Sequence, residues 1–288
     1  MQGPEIASAA SSNPVTRSGY FATAPVPPDS YAPRKWGRHK EKIMRLTILG
    51  NGGGISDGLP YNAFLVDDRL LGEVPPDIMS SLFRERIKLD GIRNIFISHF
   101  HADHCFGFPF LALRLFYNGA PGVIKTFGPL GLESRMLDLC ALAFGNDHPL
   151  REWLGGVMEF IETGPDSEID LGDGLSIKTI PMDHPVETLG FTLRRSQAPL
   201  FTYMPDTLWN ENLLPFIQNG GRTILIDLNG EPGDTHKVHL SEADLIEMAL
   251  PRCGDDVVFY GTHLKQHKKT GPGRIRYVKP GDHIEIPE

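Results

Sequence analysis

Four side chains able to bind a divalent ion fall within six residues of this chain: His99, His101, Asp103 and His104 of Ser98-His99-Phe100-His101-Ala102-Asp103-His104. Imidazole nitrogen and carboxylate oxygen both suit borderline metals. His99 and His101 stand two apart, so an extended backbone points both to one side. A helical run begins after them, and the turn into it lets Asp103 and His104 aim at a second position nearby. Paired ions of this kind activate a water and stabilise developing charge together, which is the chemistry of metal-assisted hydrolysis. A lone histidine would carry no such weight. The chain has 11 histidines, and several stand beside aspartates rather than being spread evenly.

The cluster lies where a β-rich run ends and a helical run begins, and strand ends feeding loops are where mixed folds place chemistry. Before it, a strand-like run at Arg45-Leu-Thr-Ile-Leu49 leads into Gly50-Asn-Gly-Gly-Gly54, then a strand over Asn62–Val66 and a helical segment over Pro76–Ile87. Asn94–Ser98 reads as a strand, Phe106–Asn118 as a helix, Val123–Phe127 as a strand and Leu130–Leu142 as a helix. Four short strands are predicted at 157–161, 175–181, 189–194 and 199–204. Thr223–Leu228, a Ser241-capped helix to Leu250, and Val257–Tyr260 close the series. Strands interleaved with helices, without a fixed repeat, predict a mixed α/β sandwich. Gly52-Gly-Gly54 lacks the following Lys-Ser/Thr of a phosphate loop and reads as a tight turn near the site mouth. Residues 1–43 hold six prolines, five serines and almost no apolar periodicity, which predicts a disordered extension ahead of one domain over 44–288.

Composition narrows the function classes. The net charge is −8, from 28 basic and 36 acidic residues, which argues against sequence-blind nucleic-acid binding. No run approaches the roughly 18 apolar residues of a spanning helix. Cys105, Cys140 and Cys253 are odd in number and far apart, so neither a disulfide framework nor a metal knuckle is readable. A reducing, cytoplasmic setting is expected.

The pattern His-x-His-x-Asp-His over 99–104 resembles the signature of the metallo-β-lactamase superfamily, an αββα sandwich of two mixed sheets with metals at one edge. The resemblance implies three further ligands, each found just past a predicted strand. His184 of Asp183-His184 matches the third histidine of the first metal, Asp206 the bridging aspartate, and His263 of Gly261-Thr-His-Leu264 the last histidine of the second metal. Finer features resemble the ribonuclease Z-like branch: Asp183-His184 before Gly190-Phe191, Met204-Pro205-Asp206-Thr207, and His239-Leu240-Ser241 opening a helix. Phe191, Met204-Pro205 and Lys265-Gln266 depart from that branch, and Glu73 stands where it usually has an aspartate. His184 and Asp206 are 22 positions apart, too few for the long arm with which such enzymes clamp tRNA. A small phosphodiesterase of the branch is the nearer analogue.

The implied mechanism is a water shared by two ions, its pKa lowered from 15.7 toward about 7 and held as hydroxide for in-line attack. Asp103, also a ligand, and His239 are the candidate catalytic residues; the resemblance places His239 where it could protonate the leaving oxygen. Asp183 and Asp227 are candidates to orient ligand imidazoles. Lys265, Lys268, Lys269, Arg274, Arg276 and Lys279 form a cation run beginning beside His263, so Lys265 and Lys268, with His236, are candidate substrate contacts. His148, His267 and His283 carry no chemistry. The cofactors implied are two divalent ions, zinc first, with manganese or iron as alternatives. The partner expected is a small anionic substrate, without membrane or stable nucleic-acid complex; a homodimer is compatible. Two other readings stay open: a lactone, ester or thioester hydrolase of the same fold, and a metal-binding scaffold without catalysis.

Overall fold

The computed structural model describes residues 43–231, 234 and 237–287. The expectation for the first 42 residues lies outside them. Among the described residues, fourteen strands form two seven-stranded sheets. The first is built from β1 (Met44–Gly50), β2 (Ala63–Val66), β3 (Leu70–Gly72), β4 (Asn94–Phe96), β5 (Ile124–Gly128) and β6 (Met158–Glu162). Interspersed are α1 (Ile78–Arg84), α2 (Ala102–Cys105), α3 (Phe108–Asn118), α4 (Leu132–Phe144) and α5 (Leu150–Val157). The second sheet holds β7 (Glu168–Gly172), β8 (Leu175–Pro181), β9 (Leu189–Arg195), β10 (Ala198–Met204), β11 (Thr223–Asp227), β12 (Val258–Thr262) and β13 (Ile275–Tyr277), with α6 (Leu214–Asn219) and α7 (Glu242–Asp244) in its connections. β14 (His283–Ile286) returns to pair with β1, giving the order β14-β1-β2-β3-β4-β5-β6 against β13-β12-β11-β10-β9-β8-β7.

Layering follows from where the apolar residues point. One core lies between the sheets, joining Met44, Leu46, Phe64 and Phe96 of the first to Ile177, Phe191, Phe201 and Tyr203 of the second. Its aromatic rings meet edge to face, Phe64 with Tyr203 at 4.7 Å and Phe96 with Phe191 at 4.8 Å between centroids, the arrangement ring quadrupoles favour. A second core packs α1 to α5 on the outer face of the first sheet, and a third packs α6 and the 240–250 segment on the outer face of the second. Strands covered on both faces read as unbroken apolar runs, as Ala63–Val66 does with all four residues buried. The chain is thus the αββα sandwich expected from its sequence.

Topology gathers the strand ends. β10, β11 and β12 are mutually parallel, and β8 is antiparallel to β9, which is antiparallel to β10, so β8 runs with them. β3, β4 and β5 are parallel in the other sheet. The loops leaving β4, β8, β10, β11 and β12 carry or adjoin His99, His184, Asp206, Asp227 and His263 respectively. The 22 positions from His184 to Asp206 are taken up by the β9–β10 hairpin, with no length left for an arm.

Several expected elements differ. The helix expected over Phe106–Asn118 starts two residues later, as α3, and Phe106-Gly107 separates it from the short α2; a Cβ at Gly107 would lie 1.9 Å from the Pro75 carbonyl oxygen, so only glycine admits that close crossing. Ser241 does cap a helix, with a capping box to Asp244, but α7 passes at once into a π turn and then a 3-10 turn through Pro251 rather than continuing to Leu250 as one helix. β3 and β13, of three residues each, and β7, α5, α6 and β14 go unread in the sequence, being short or rich in charged residues and glycine. No helix among the described residues is long and apolar enough to cross a membrane.

Candidate metal centre

The four residues of the 99–104 segment divide between two neighbouring positions as their spacing suggests. His99 and His101 leave β4 in extended backbone, while α2 begins at Ala102 and turns Asp103 and His104 the other way. At the first position His99 Nε2 lies 2.9 Å from His101 Nδ1, and His101 Nδ1 lies 3.3 Å from His184 Nε2. Asp206 Oδ2 is 3.9 Å from both His99 Nε2 and His184 Nε2. At the second, His104 Nε2 and His263 Nε2 are 3.3 Å apart, Asp103 Oδ2 lies 3.1 Å from His263 Nε2, and Asp206 Oδ1 lies 3.4 Å from each imidazole. One oxygen of Asp206 therefore serves each group. The donor atoms of His99, His101, His184 and Asp206 lie within 4.8 Å of one another, as do those of Asp103, His104 and His263.

The electrostatics of the residues fit a divalent cation. Asp206 is 2% exposed and its Oδ1 accepts no hydrogen bond, an unmet need for positive charge in the interior. Burial and the facing His104 imidazole hold His99 well below the ordinary histidine pKa, so it is a neutral donor. Burial lowers His184 too. At the second position burial also opposes charge, but the carboxylates outweigh it. Asp206 and Glu73 raise His104 well above its usual value, and Asp206, Asp103 and Asp227 raise His263 to about 10. Protons there supply the positive charge that a metal ion would bring.

Surrounding groups fix the imidazoles. The Val238 carbonyl is 3.2 Å from His184 Nδ1, and Ser98 Oγ is 2.9 Å from His99 Nδ1. Asp227, fully buried at the end of β11, faces His263 Nδ1 at 3.4 Å with Oδ1 and takes a 2.7 Å hydrogen bond from His239 Nδ1 on Oδ2. One carboxylate thus orients a candidate ligand and a candidate proton donor. His239 Nε2 has no protein partner among the described residues. His263 itself has φ +59, a left-handed backbone that non-glycine residues seldom hold without surrounding constraint. Gly53 and Gly54 roof this side. A Cβ on Gly54 would lie 3.1 Å from Asp103 Oδ2, and one on Gly53 would lie 2.8 Å from Asn229 Nδ2 and 3.0 Å from His263 Cε1. The turn expected near the site mouth is a close backbone approach to two candidate ligands.

Other expectations are corrected. Asp183 does not orient an imidazole: it is exposed, only its backbone is engaged, with Thr207 Oγ1 and Leu208 N, and the Val238 carbonyl does the work at His184. Lys265 and Lys268 are not free cations, because Asp234 and Glu231 each stand 3.8 Å from one of them. Arg274 is spent on the carbonyls of Leu250, Gly254 and Val257. His236 lies outside the described residues. His148 and His283 are structural, accepting from the Leu150 amide and pairing with Thr47 Oγ1. Asn229 and Asn62, near His263 and behind it, went unnoticed, since an isolated asparagine has no signature in sequence.

Two mixed sheets flanked by helices, with His/Asp clusters at the edge where strand ends meet, define a protein of the metallo-β-lactamase fold with a candidate metal centre. The chain belongs to the Anti-Pycsar protein Apyc1 family, whose model matches residues 44–281. It is also similar to ribonuclease Z of Lactobacillus acidophilus, 26% identical over 196 residues that make up 64% of this chain and 60% of that protein. Across the first ribonuclease Z and ribonuclease BN relatives it matches, the chain spans from 30% to 60% of their length. Among solved structures, the metallo-β-lactamase fold protein YhfI of Bacillus subtilis superposes with a TM-score of 0.67 at 18% identity, covering 85% of this chain and 100% of that one. Human short-form tRNase Z gives 0.66 at 15% identity, covering 85% and 100%.

Proposed function

We propose that this protein is a phosphodiesterase acting on a small phosphodiester. The carrying observation is the arrangement around Asp206: two donor groups share its carboxylate, and His239, anchored on Asp227, stands beside them with Nδ1 3.8 Å from Asp206 Oδ2. His99, His101 and His184 would hold one divalent ion, Asp103, His104 and His263 the other, and Asp206 both. Such ions supply Lewis acidity and an activated water. Asp227 keeps the His239 proton on a fixed nitrogen and leaves Nε2 to give or take a proton at the leaving oxygen. Gly53 and Gly54, having no side chains, let the backbone close over the second position and limit water there.

Membership of the Apyc1 family, one of cyclic nucleotide-degrading phosphodiesterases, supports phosphorus over carbonyl as the electrophile. The likeness to ribonuclease Z supports it also. Lys265 and Lys268, each offset by a carboxylate, would steer an anionic substrate only weakly. Zinc suits the histidine-rich donor set best. The test is turnover by metal-analysed protein of bis-p-nitrophenyl phosphate, a set of cyclic nucleotides, a lactone and a thioester. Hydrolysis of a phosphodiester at least about tenfold faster than either carbonyl substrate is expected; the reverse order would replace this reading by the carbonyl hydrolase, and no turnover of any by the scaffold.

A further inference from the structure

A chain of buried polar side chains crosses the interior between the sheets and reaches the second position from both ends. Thr262 Oγ1 donates to Asn62 Oδ1 at 2.7 Å, Asn62 Nδ2 donates to Tyr203 Oη at 2.8 Å, and the Tyr203 hydroxyl donates to Glu73 Oε1 at 2.9 Å. Glu73 Oε1 then faces His104 Nδ1 at 3.5 Å, while its Oε2 takes the Ser98 amide at 3.2 Å. At the other end Thr262 is the residue before His263. Asn62 and Glu73 flank strands of the first sheet; Tyr203 and Thr262 lie in strands of the second. None of the four is more than 1% exposed.

Three features set this chain apart from ordinary core packing. Its hydrogen bonds all donate in one direction, so each polarises the next. Its surroundings are aromatic, with Phe64, Phe191 and Phe201 in the same cluster as Tyr203, so phenylalanine at 203 would fill the space without burying a hydroxyl. Glu73 has φ +66, and the constraint that holds a non-glycine residue there also fixes where its carboxylate points.

We propose that Thr262, Asn62, Tyr203 and Glu73 form a positioning relay that sets His104 and His263 at the spacing the second ion needs. Glu73 Oε1, 3.5 Å from His104 Nδ1 without a hydrogen bond to it, backs the imidazole by charge and leaves Nε2 turned to the second position; the Asn62–Thr262 bond anchors the end of β12 from which His263 projects. The relay rests on the metal-centre reading of the cluster and is independent of which substrate is cleaved.

The experiment is a zinc titration of stripped protein against a chromophoric competing chelator, with cobalt(II) absorption as a second readout. Wild type is read first, and fewer than two ions per chain would overturn the metal-centre reading and the relay with it. In Tyr203→Phe one of the two affinities should weaken about tenfold or more, the size of effect seen when groups behind ligands are removed, and the other should stay within about twofold. The absorption of one cobalt ion should change with it. Thr262→Val, at the far end, should weaken the same ion, and Thr262→Ser should restore it. If Tyr203→Phe does not fold, Thr262→Val against Thr262→Ser decides alone. Unchanged affinities in folded variants, or equal weakening of both ions, would show the chain to be packing and overturn the proposal.

Discussion

Asp227 Oδ2 accepts from His239 Nδ1 at 2.7 Å while the other oxygen of the same carboxylate faces His263, so a candidate proton donor and a candidate metal ligand share one buried anchor. The two functions can be separated by substitution. His239→Ala removes the proton donor and leaves Asp227 on His263. Turnover should fall roughly 100-fold or more for a poor leaving group and much less for p-nitrophenolate, with metal content unchanged. Asp227→Asn should lower both turnover and zinc affinity. Equal loss with both leaving groups in His239→Ala would remove His239 from proton transfer.

The glycine roof offers a test that leaves every candidate ligand in place. Gly54→Ala puts a Cβ 3.1 Å from Asp103 Oδ2, and Gly53→Ala puts one 2.8 Å from Asn229 Nδ2. Neither neighbour is a loose chain end, since Asn229 is buried and Asp103 bonds His263. Zinc content at limiting metal should drop by about one ion per chain, with a melting temperature within a few degrees of wild type. Full loading in both variants would show that the turn yields without moving the ligands.

How far the sequence disclosed this centre depends on how each residue is specified. His99, His101, Asp103 and His104 are legible because their spacing alone dictates which way they face. His184, Asp206 and His263 are scattered over 80 positions and become readable only through the family pattern and the strand that precedes each. Behind them only Glu73 was legible, through the family pattern; its meeting with Asn62, Tyr203 and Thr262 was not, because β2, β3, β10 and β12 face one another across the sandwich and nothing local in sequence records that pairing. The partners of the cations at 265 and 268 were hidden for a related reason. A run of lysines shows charge but not the carboxylates of Glu231 and Asp234 that the fold brings to them. Asp183 misled by adjacency, since neighbours along an extended chain point apart.

Asp206 presents one oxygen to each donor group, and its replacement should act on both. In Asp206→Ala the two positions lose their shared negative charge, so two cations placed there would repel with less to offset them. Zinc content should fall below two per chain and turnover by several orders of magnitude, while folding persists because Asp206 contributes no hydrogen bond from Oδ1 to the core. Near wild-type turnover at full loading would show that it does not bridge.

The sign of the pH dependence follows from the second position. In metal-free protein Asp206, Asp103 and Asp227 overcome burial and raise His263 from an ordinary 6.5 to about 10, and His104 moves the same way. A histidine whose folded pKa is raised gives stability that is complete below about 6.5 and disappears as pH climbs through the folded value. His99 and His184, held low by burial, are already neutral above 6.5 and add no slope there. The melting temperature of chelator-treated protein should therefore fall steadily from pH 7 to about 9.5. Zinc-loaded protein should not follow, because a coordinated imidazole is neutral already, so the gap between the two should widen with pH. The same linkage requires that zinc binding at pH 7.5 expel at least one proton per chain, measurable as a heat that varies with the ionisation enthalpy of the buffer. A chelated protein whose melting temperature is flat or rises over that interval, together with a buffer-independent heat, would show that His104 and His263 do not carry protons in place of the metal.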